Sequence, residues 1–388
     1  MLSKAGSIID CLMNRIQSID ALRGVVMVIM LLDHVRETFY LHQQVGDPVD
    51  VTSTDPALFF TRLLSSLCAP IFVLLTGLGA WLHGQSHTRA ETSIFLLKRG
   101  LFLIVLEITV VNFSWTGQFP PTTFFLQVIW VIGLAMIALA ILLYLPRSVL
   151  LILAFAIIAG HHVLAPISFE PGTPSHVVWA IIYERSWIDL VEGVRARTSY
   201  PLLPWIGVIL AGYVIGPWFA HETSMQERIR ILVAAGATCL IVFAIVRWLN
   251  FYGDVPRLTD QATHIEAMSF FSLTKYPPSL LFNLSTLGVG LLLLAWFERL
   301  GENKALTAIA TFGAAPMFFY ILHLYVIRLL YLLALVTLGA NQGKYFGFSS
   351  VEALWALSAV LIVVLYFPTA WFSRLKRRRR DIRWLKYF

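Results

Sequence analysis

Arg23 and His34 stand eleven residues apart in the stretch 19–41, IDALRGVVMVIMLLDHVRETFYL. At 100° per residue that separation returns almost to the same helix face, with an axial gap of roughly 16 Å. A cation near one end of a membrane-length helix therefore shares a side with a titratable imidazole deep inside it. Ionisable groups are costly in a bilayer and mark functional sites by default. A neutral imidazole near its ordinary pKa of about 6.5 is suited to take a proton from a nucleophile. Asp33 and Glu37 flank His34 and are candidates to hold its ring in one tautomer; Arg36 stands beside them.

Glu107 and His323 reach similar depths on other helices. Counted from the expected helix starts, His34 lies fifteen residues above Ile19, Glu107 thirteen above Ile94 and His323 sixteen above Thr307. These offsets are about 20–24 Å at the helical rise, so three ionisable groups are predicted to line one cavity. Each has a plainer reading as a polar residue that hydrogen-bonds a neighbouring helix.

Composition sets the class that must position them. Of the 388 residues 58% are hydrophobic and only 13% charged, with mean hydropathy +0.76, well away from a soluble domain. Long apolar runs predict an all-α polytopic membrane protein in a lipid bilayer, one domain over 1–388. Ten spans are expected at about 19–41, 57–82, 94–113, 122–144, 147–166, 202–220, 229–251, 279–298, 307–338 and 351–373. Residues 1–18 form a short leading segment without the features of a signal peptide, since Asp10 interrupts its apolar stretch. Nineteen of the 29 Lys and Arg fall on the side of the N-terminus, including Lys98, Arg99 and the basic tail 374–388, against eight in the opposite loops. By the positive-inside rule both termini are cytoplasmic. The net charge of +7 is largely that tail, which suits anionic lipid and not nucleic acid.

The opposite face has the longer loops, 42–56, 167–201 and 252–278. They are expected to meet a substrate; 176–194 is too polar to span and is expected along the interface or partly re-entrant. KYPPSL at 275–280 reads as a helix entry with its prolines in the first turn, and Lys275 and Tyr276 facing the interface. Pro70 and Pro316 predict kinks within spans. Gly77, Gly79, Gly288 and Gly290 predict close helix contacts. His161 and His162 read as interfacial and His83 and His87 as solvated. Neither a zinc motif nor a phosphate-binding loop occurs, so no metal is expected. Cys11, Cys68 and Cys239 make no disulfide framework. Oligomeric state is open, a homo-oligomer included.

Several segments resemble a known family. RIQSIDALRG and LLDHVRETF within 15–39, CAPIFVLLTG (68–77), KRGLFLIVLEITVV (98–111), YPLLPWIGVILAGY (200–213), TKYPPSLLFNLSTLG (274–288) and PMFFYILHLYVIR (316–328) are similar to a bacterial group related to the catalytic domain of heparan-α-glucosaminide N-acetyltransferase. The likeness runs in order from Arg15 to about Trp371. The opening also resembles the first helix of bacterial membrane O-acyltransferases, whose functional arginine and histidine correspond to Arg23 and His34.

The resemblance implies acyl transfer at a bacterial inner membrane. An acyl-CoA, acetyl-CoA in the simplest case, would bind from the cytoplasm, and an amine or hydroxyl of a glycan or lipid-linked sugar would accept the acyl group on the other side. His34 is then the base, or a nucleophile through an acyl-imidazole, with His323 as second acid/base. Arg23, Lys98 and Arg99 would hold CoA phosphates, because guanidinium pairs bidentately with phosphate. Arg36, Glu37, His42, Lys275 and Tyr276 would face the acceptor. The lysosomal enzyme's catalytic histidine lies after its first helix, which makes His42 a competing base. A proton-coupled transporter or flippase using the same polar residues is the alternative reading.

Overall fold

The computed structural model describes residues 16–301, 303–379, 381, 382 and 385. The leading segment up to residue 15 and parts of the basic tail lie outside the described residues. The helices are α1 (Gln17–Phe39), α2 (Pro56–Ser65), α3 (Cys68–Gly84), α4 (Arg89–Leu106), α5 (Asn112–Thr116), α6 (Val128–Leu142), α7 (Arg147–Gly160) and α8 (Pro174–Ile182). They continue as α9 (Leu202–Val214), α10 (Met225–Leu249), α11 (Thr263–Phe271), α12 (Leu280–Leu300), α13 (Lys304–Ala314), α14 (Pro316–Leu338) and α15 (Val351–Arg378). Side-chain caps set many starts, as the sequence invites: Thr88 and Glu91 form a capping box, and Ser224, Ser279 and Asn303 each accept a first-turn N–H.

Among the described residues seven helical stretches are long and apolar enough to cross a membrane: Pro56–Gly84, Arg147–Leu164, Leu202–Phe219, Met225–Leu249, Leu280–Leu300, Pro316–Leu338 and Val351–Arg378. Val128–Leu142 is a shorter apolar helix. Two further stretches fall outside this class and carry charge, α1 with Asp20, Arg23, Asp33, Arg36 and Glu37, and 89–116 with Arg89, Glu91, Lys98, Arg99 and Glu107. α10 turns large apolar side chains such as Ile241, Ile245 and Trp248 outward, the surface expected of a polytopic membrane protein. Short connections at one end of the bundle, the short-loop end (85–88, 143–146, 220–224), contrast with long ones at the other, the long-loop end.

α1 runs through the middle of the bundle, packing on α3, α13, α14 and α15. Glycines allow its closest approach. A Cβ on Gly24 would lie 2.0 Å from the Ile309 carbonyl oxygen, and one on Gly313 1.9 Å from that of Asp20. Gly77 and Gly212 make the same kind of contact between α3 and α9.

Several elements differ from the sequence expectation. The predicted span 307–338 is two helices broken at Ala315 (φ −135°, ψ 56°), with Pro316 opening α14; a residue before proline is driven from the helical region. Pro70 falls in the first turn of α3, just after a turn at 66–67 whose backbone stays in the right-handed helical region. Pro277 and Pro278 precede α12, whose N-cap is Ser279. The stretch 122–144 opens with a strand, β1 (Thr123–Leu126), before α6. It pairs in parallel with β3 (Val194–Thr198), itself antiparallel to β2 (Trp187–Val191). The polar stretch 176–194 is thus a short helix and a hairpin limb. His161 and His162 are not simply interfacial: His161 is buried and bonds the Pro278 carbonyl at 3.1 Å, and His162 Nε2 accepts from Leu280 N at 3.1 Å.

Arg247 ties the long loop 250–279 to the end of α10. Its guanidinium donates to the carbonyls of Val255 (2.7 Å), Ser269 (2.6 Å), Phe270 (3.0 Å) and Ser272 (3.0 Å). Arg247→Met is expected to cost about 3 kcal/mol by stranding these carbonyls, read as a lower Tm in detergent. Arg247→Lys should not rescue it, because an ammonium cannot match the planar fork.

Candidate active site

His34 faces α14 nearly five turns into α1, and His323 faces back. His34 Nδ1 and His323 Nε2 are 2.7 Å apart, and the rings are nearly parallel with centroids 5.0 Å apart. His323 Nδ1 lies 2.7 Å from the Phe319 carbonyl oxygen, one turn earlier. A carbonyl only accepts, so His323 Nδ1 carries a proton. In a neutral pair His323 Nε2 then accepts from His34 Nδ1–H, which leaves the lone pair on His34 Nε2. Both residues are buried. Trp115 packs edge-on to His34 (5.2 Å), and Tyr320 stands 5.9 Å from His34 and 5.6 Å from His323. The Tyr320 hydroxyl and Trp115 Nε1 are buried beside one another.

The flanking acids serve other partners. Asp33 Oδ1 accepts from Arg36 Nε (3.1 Å) and Nη2 (2.8 Å), and its Oδ2 lies 3.6 Å from Arg62 Nη1. Glu37 meets Arg36 Nη2 at 3.2 Å. Adjacent helical residues point about 100° apart, so Asp33 turns from the His34 ring, and the bond on that ring comes from His323. Glu107 opens a π-helical turn, Glu107–Val111. Its Oε2 accepts from Trp130 N at 3.0 Å, while Oε1 has no hydrogen-bond partner. It caps the start of α6, where Gln127 provides no side-chain cap.

A cavity of about 990 Å³ opens at the short-loop end and runs inward to Tyr320. Arg23, Arg99, Arg228 and Lys376 line it, and Met30, one turn before His34, and Met317 form its inner part with Tyr320. Arg23 also reaches Asp20 Oδ1 and the Leu75 carbonyl, each at 3.3 Å, and Arg228 pairs with Glu298 at 3.2 Å. Lys98 is exposed and absent from the lining, unlike its neighbour Arg99. The volume suits a ligand larger than a single metabolite ring, and the cations suit phosphate.

The remaining predicted residues gather at the long-loop end. The backbone N–H groups of Lys275 and Tyr276 donate to the Asp47 carboxylate (2.8–3.2 Å), and Tyr276 Oη donates to Tyr200 Oη at 3.0 Å. Lys275 is buried at 3% exposure, contrary to its expected place at the interface. His42 packs on Tyr40 and against Gly347 and is not in contact with the histidine pair. The reading from sequence missed Tyr320, Trp115, Arg62 and Arg228. Tyr320 had a signal, since three residues before His323 on a helix is the same face.

Among the described residues no group of three or more His, Cys, Asp or Glu could hold a metal ion. No curated protein matches the chain. A comparison with protein families matches residues 15–250 to the heparan-alpha-glucosaminide N-acetyltransferase catalytic family. That match takes in α1 with Arg23 and His34 and the cavity-lining Arg99 and Arg228, and ends before His323. With more than half its length matched, and a basic-mouthed cavity leading to buried histidines within an apolar helical bundle, this chain belongs to the heparan-alpha-glucosaminide N-acetyltransferase catalytic family, whose type of function is membrane acetyl transfer.

Proposed function

We propose that the protein transfers an acyl group, acetyl in the simplest case, from a cytoplasmic acyl-CoA to an amine or hydroxyl of a glycan-type acceptor on the opposite side of a bacterial inner membrane. One observation carries this reading: a cavity with a cationic mouth ends at Tyr320, against the His34–His323 pair. With the short-loop end in the cytoplasm, as its lysines and arginines require, Arg23 and Arg99 hold the CoA phosphates. The roughly 16 Å rise from Arg23 to His34 is spanned by the pantetheine arm. Lys98 joins only as a charge near the mouth.

His34 Nε2 accepts the proton of the acceptor amine or hydroxyl as its heteroatom attacks the thioester carbonyl carbon. The Tyr320 hydroxyl donates to the carbonyl oxygen as it becomes an oxyanion, the kind of preorganised donor that acyl transfer requires. The tetrahedral intermediate then expels the CoA thiolate, which takes the proton from the His34 imidazolium. His323 is a positioning residue that fixes the His34 tautomer and shares its positive charge. Glu107 holds the start of α6, whose Ile129 lines the cavity. Arg36, Glu37, Lys275 and Tyr276 form the acceptor approach, with His42 at its margin.

Acetyl-CoA calorimetry on the purified chain in detergent tests the donor site. Arg99→Ala is expected to weaken binding about tenfold or more, the worth of one charge-assisted phosphate contact, while His34→Ala leaves it unchanged. Stable wild type that binds neither acetyl-CoA nor longer acyl-CoAs would refute the reading. The buried histidine pair would then be assigned to proton movement in a transporter or flippase, seen as gradient-dependent flux in sealed vesicles.

A further inference from the structure

Trp115 packs on His34 yet has no part in the acyl transfer described above. It stands near the end of a continuous helical stretch, where α5 follows the π-helical turn Glu107–Val111. A π turn holds more residues than an α turn, so the side chains after it point where an unbroken α4 would not send them. α14 grips this stretch from the other side. Tyr325 Oη donates to the Val110 carbonyl, inside the π turn, at 2.9 Å. The Arg328 guanidinium lies 3.5 Å from the carbonyl oxygens of Trp115 and Thr116, at the helix end that favours a cation. Gly117 follows in the left-handed region (φ 65°), and a Cβ there would lie 2.7 Å from Arg328 Nη2. Tyr320, His323, Tyr325 and Arg328 all belong to α14, so one helix places both the partner of the base and the indole.

Hydrogen-bond roles at the indole are fixed by its chemistry. A tryptophan N–H only donates, whereas a tyrosine hydroxyl donates one proton and also accepts. Trp115 Nε1 faces the Tyr320 hydroxyl, and among the described residues neither buried atom has a hydrogen-bond partner beyond the other. The contact therefore runs from the indole N–H to the Tyr320 oxygen, and the phenolic proton is left to point elsewhere. The carboxylates that act on Tyr320 do not take it. Glu107 receives Trp130 N on Oε2 and completes no bond on Oε1, and Glu37 pairs with Arg36. Tyr320 lines the inner end of the cavity, so the acceptor for its proton is a group within that cavity. A hydroxyl that accepts one hydrogen bond is polarised into a stronger donor of another.

We infer that Trp115 is a positioning residue of the acyl transfer: its indole N–H donates to the Tyr320 oxygen, and so aims and strengthens the donation of the tyrosine to the thioester carbonyl oxygen. The inference rests on the transferase reading above. No proton changes owner in this relay. Both hydrogen bonds tighten as the carbonyl oxygen gains negative charge, and they relax when the thiolate leaves. Tyr325 and Arg328 act one step further out, by holding α5 against α14.

The test compares acetyl-CoA with a CoA thioether bearing a trifluoromethyl ketone, whose hydrate imitates the tetrahedral intermediate. Binding of each to the full chain in detergent is measured beside single-turnover kcat. Trp115→Phe keeps a ring beside His34 and removes the N–H. It is expected to bind acetyl-CoA as wild type does, but to bind the mimic about tenfold more weakly and to lose kcat by the same factor. That is a part of the about 10²–10³ that a direct oxyanion donor supplies. Tyr320→Phe should show the full loss, and adding Trp115→Phe to it should cost nothing more, because the indole acts only through the tyrosine. Arg328→Gln leaves the indole itself intact and should weaken the mimic selectively; it decides the question if Trp115→Phe fails to fold. Unchanged mimic affinity and kcat in Trp115→Phe overturn the relay. Equal weakening of acetyl-CoA and mimic also overturns it and marks Trp115 as a packing residue. A further loss on top of Tyr320→Phe overturns it too, since Trp115 would then act without the tyrosine. Stable wild type that binds neither acetyl-CoA nor the mimic removes the transferase reading itself, and the relay with it.

Discussion

His34→Ala is expected to lower kcat for acetyl transfer by about 10²–10⁴-fold, the range for loss of a positioned general base, with acetyl-CoA affinity unchanged. The substitution removes the lone pair on Nε2 and leaves the cavity walls intact, because His34 is not among the lining residues. His323→Gln should give a smaller loss, about tenfold to a hundredfold, since the base survives and only its tautomer and the shared charge are disturbed. Single-turnover assays with radiolabelled acetyl-CoA separate the two effects from binding. If His34→Ala turned over at the wild-type rate, the base would have to be sought elsewhere, with His42 the first candidate.

Gly24→Val should prevent the bundle from closing, with a loss of stability of at least about 3 kcal/mol, the upper range for overpacking. The first carbon of any side chain there would sit 2.0 Å from the Ile309 carbonyl oxygen, well inside van der Waals contact. Relief would require α13 to slide away, which would also open the close contact of Gly313 with the Asp20 carbonyl. Gly160 makes a matched control, because nothing lies within 4 Å of a Cβ there; Gly160→Ala is expected to alter the Tm by no more than about 1–2 °C, in line with surface changes. Size-exclusion profiles and thermal unfolding in detergent distinguish the two variants. A monodisperse Gly24→Val protein with wild-type Tm would disprove the tight crossing.

The pairing of His34 with His323 was legible because helical rise is fixed, and residues counted from two helix starts reach one depth. Direction around the axis was less legible. Glu107 sits at a matching depth, but the π-helical turn that begins there rotates the next residues about the axis, and its carboxylate goes to Trp130 N. The break at Ala315 had a local cause that a continuous apolar run obscured. WIDLVEGVRART carries the alternation and glycine turn of a hairpin, easily passed over in a chain so rich in membrane-length helices. The burial of Lys275 had no sequence signal, since it depends on loops from 47, 200 and 275 meeting in space.

The charges of α1 bear on how the protein is made. The translation machinery produces this helix before the partners that it meets on other helices. Arg62 arrives on α2, the glycine seat on α13 and the second imidazole on α14. Exposed to lipid alone, each arginine or aspartate near the helix centre opposes insertion by roughly 2.5–3.5 kcal/mol. α1 is therefore among the last of these helices to settle in the bilayer, and biogenesis must shelter it at the translocon until α13 and α14 have emerged.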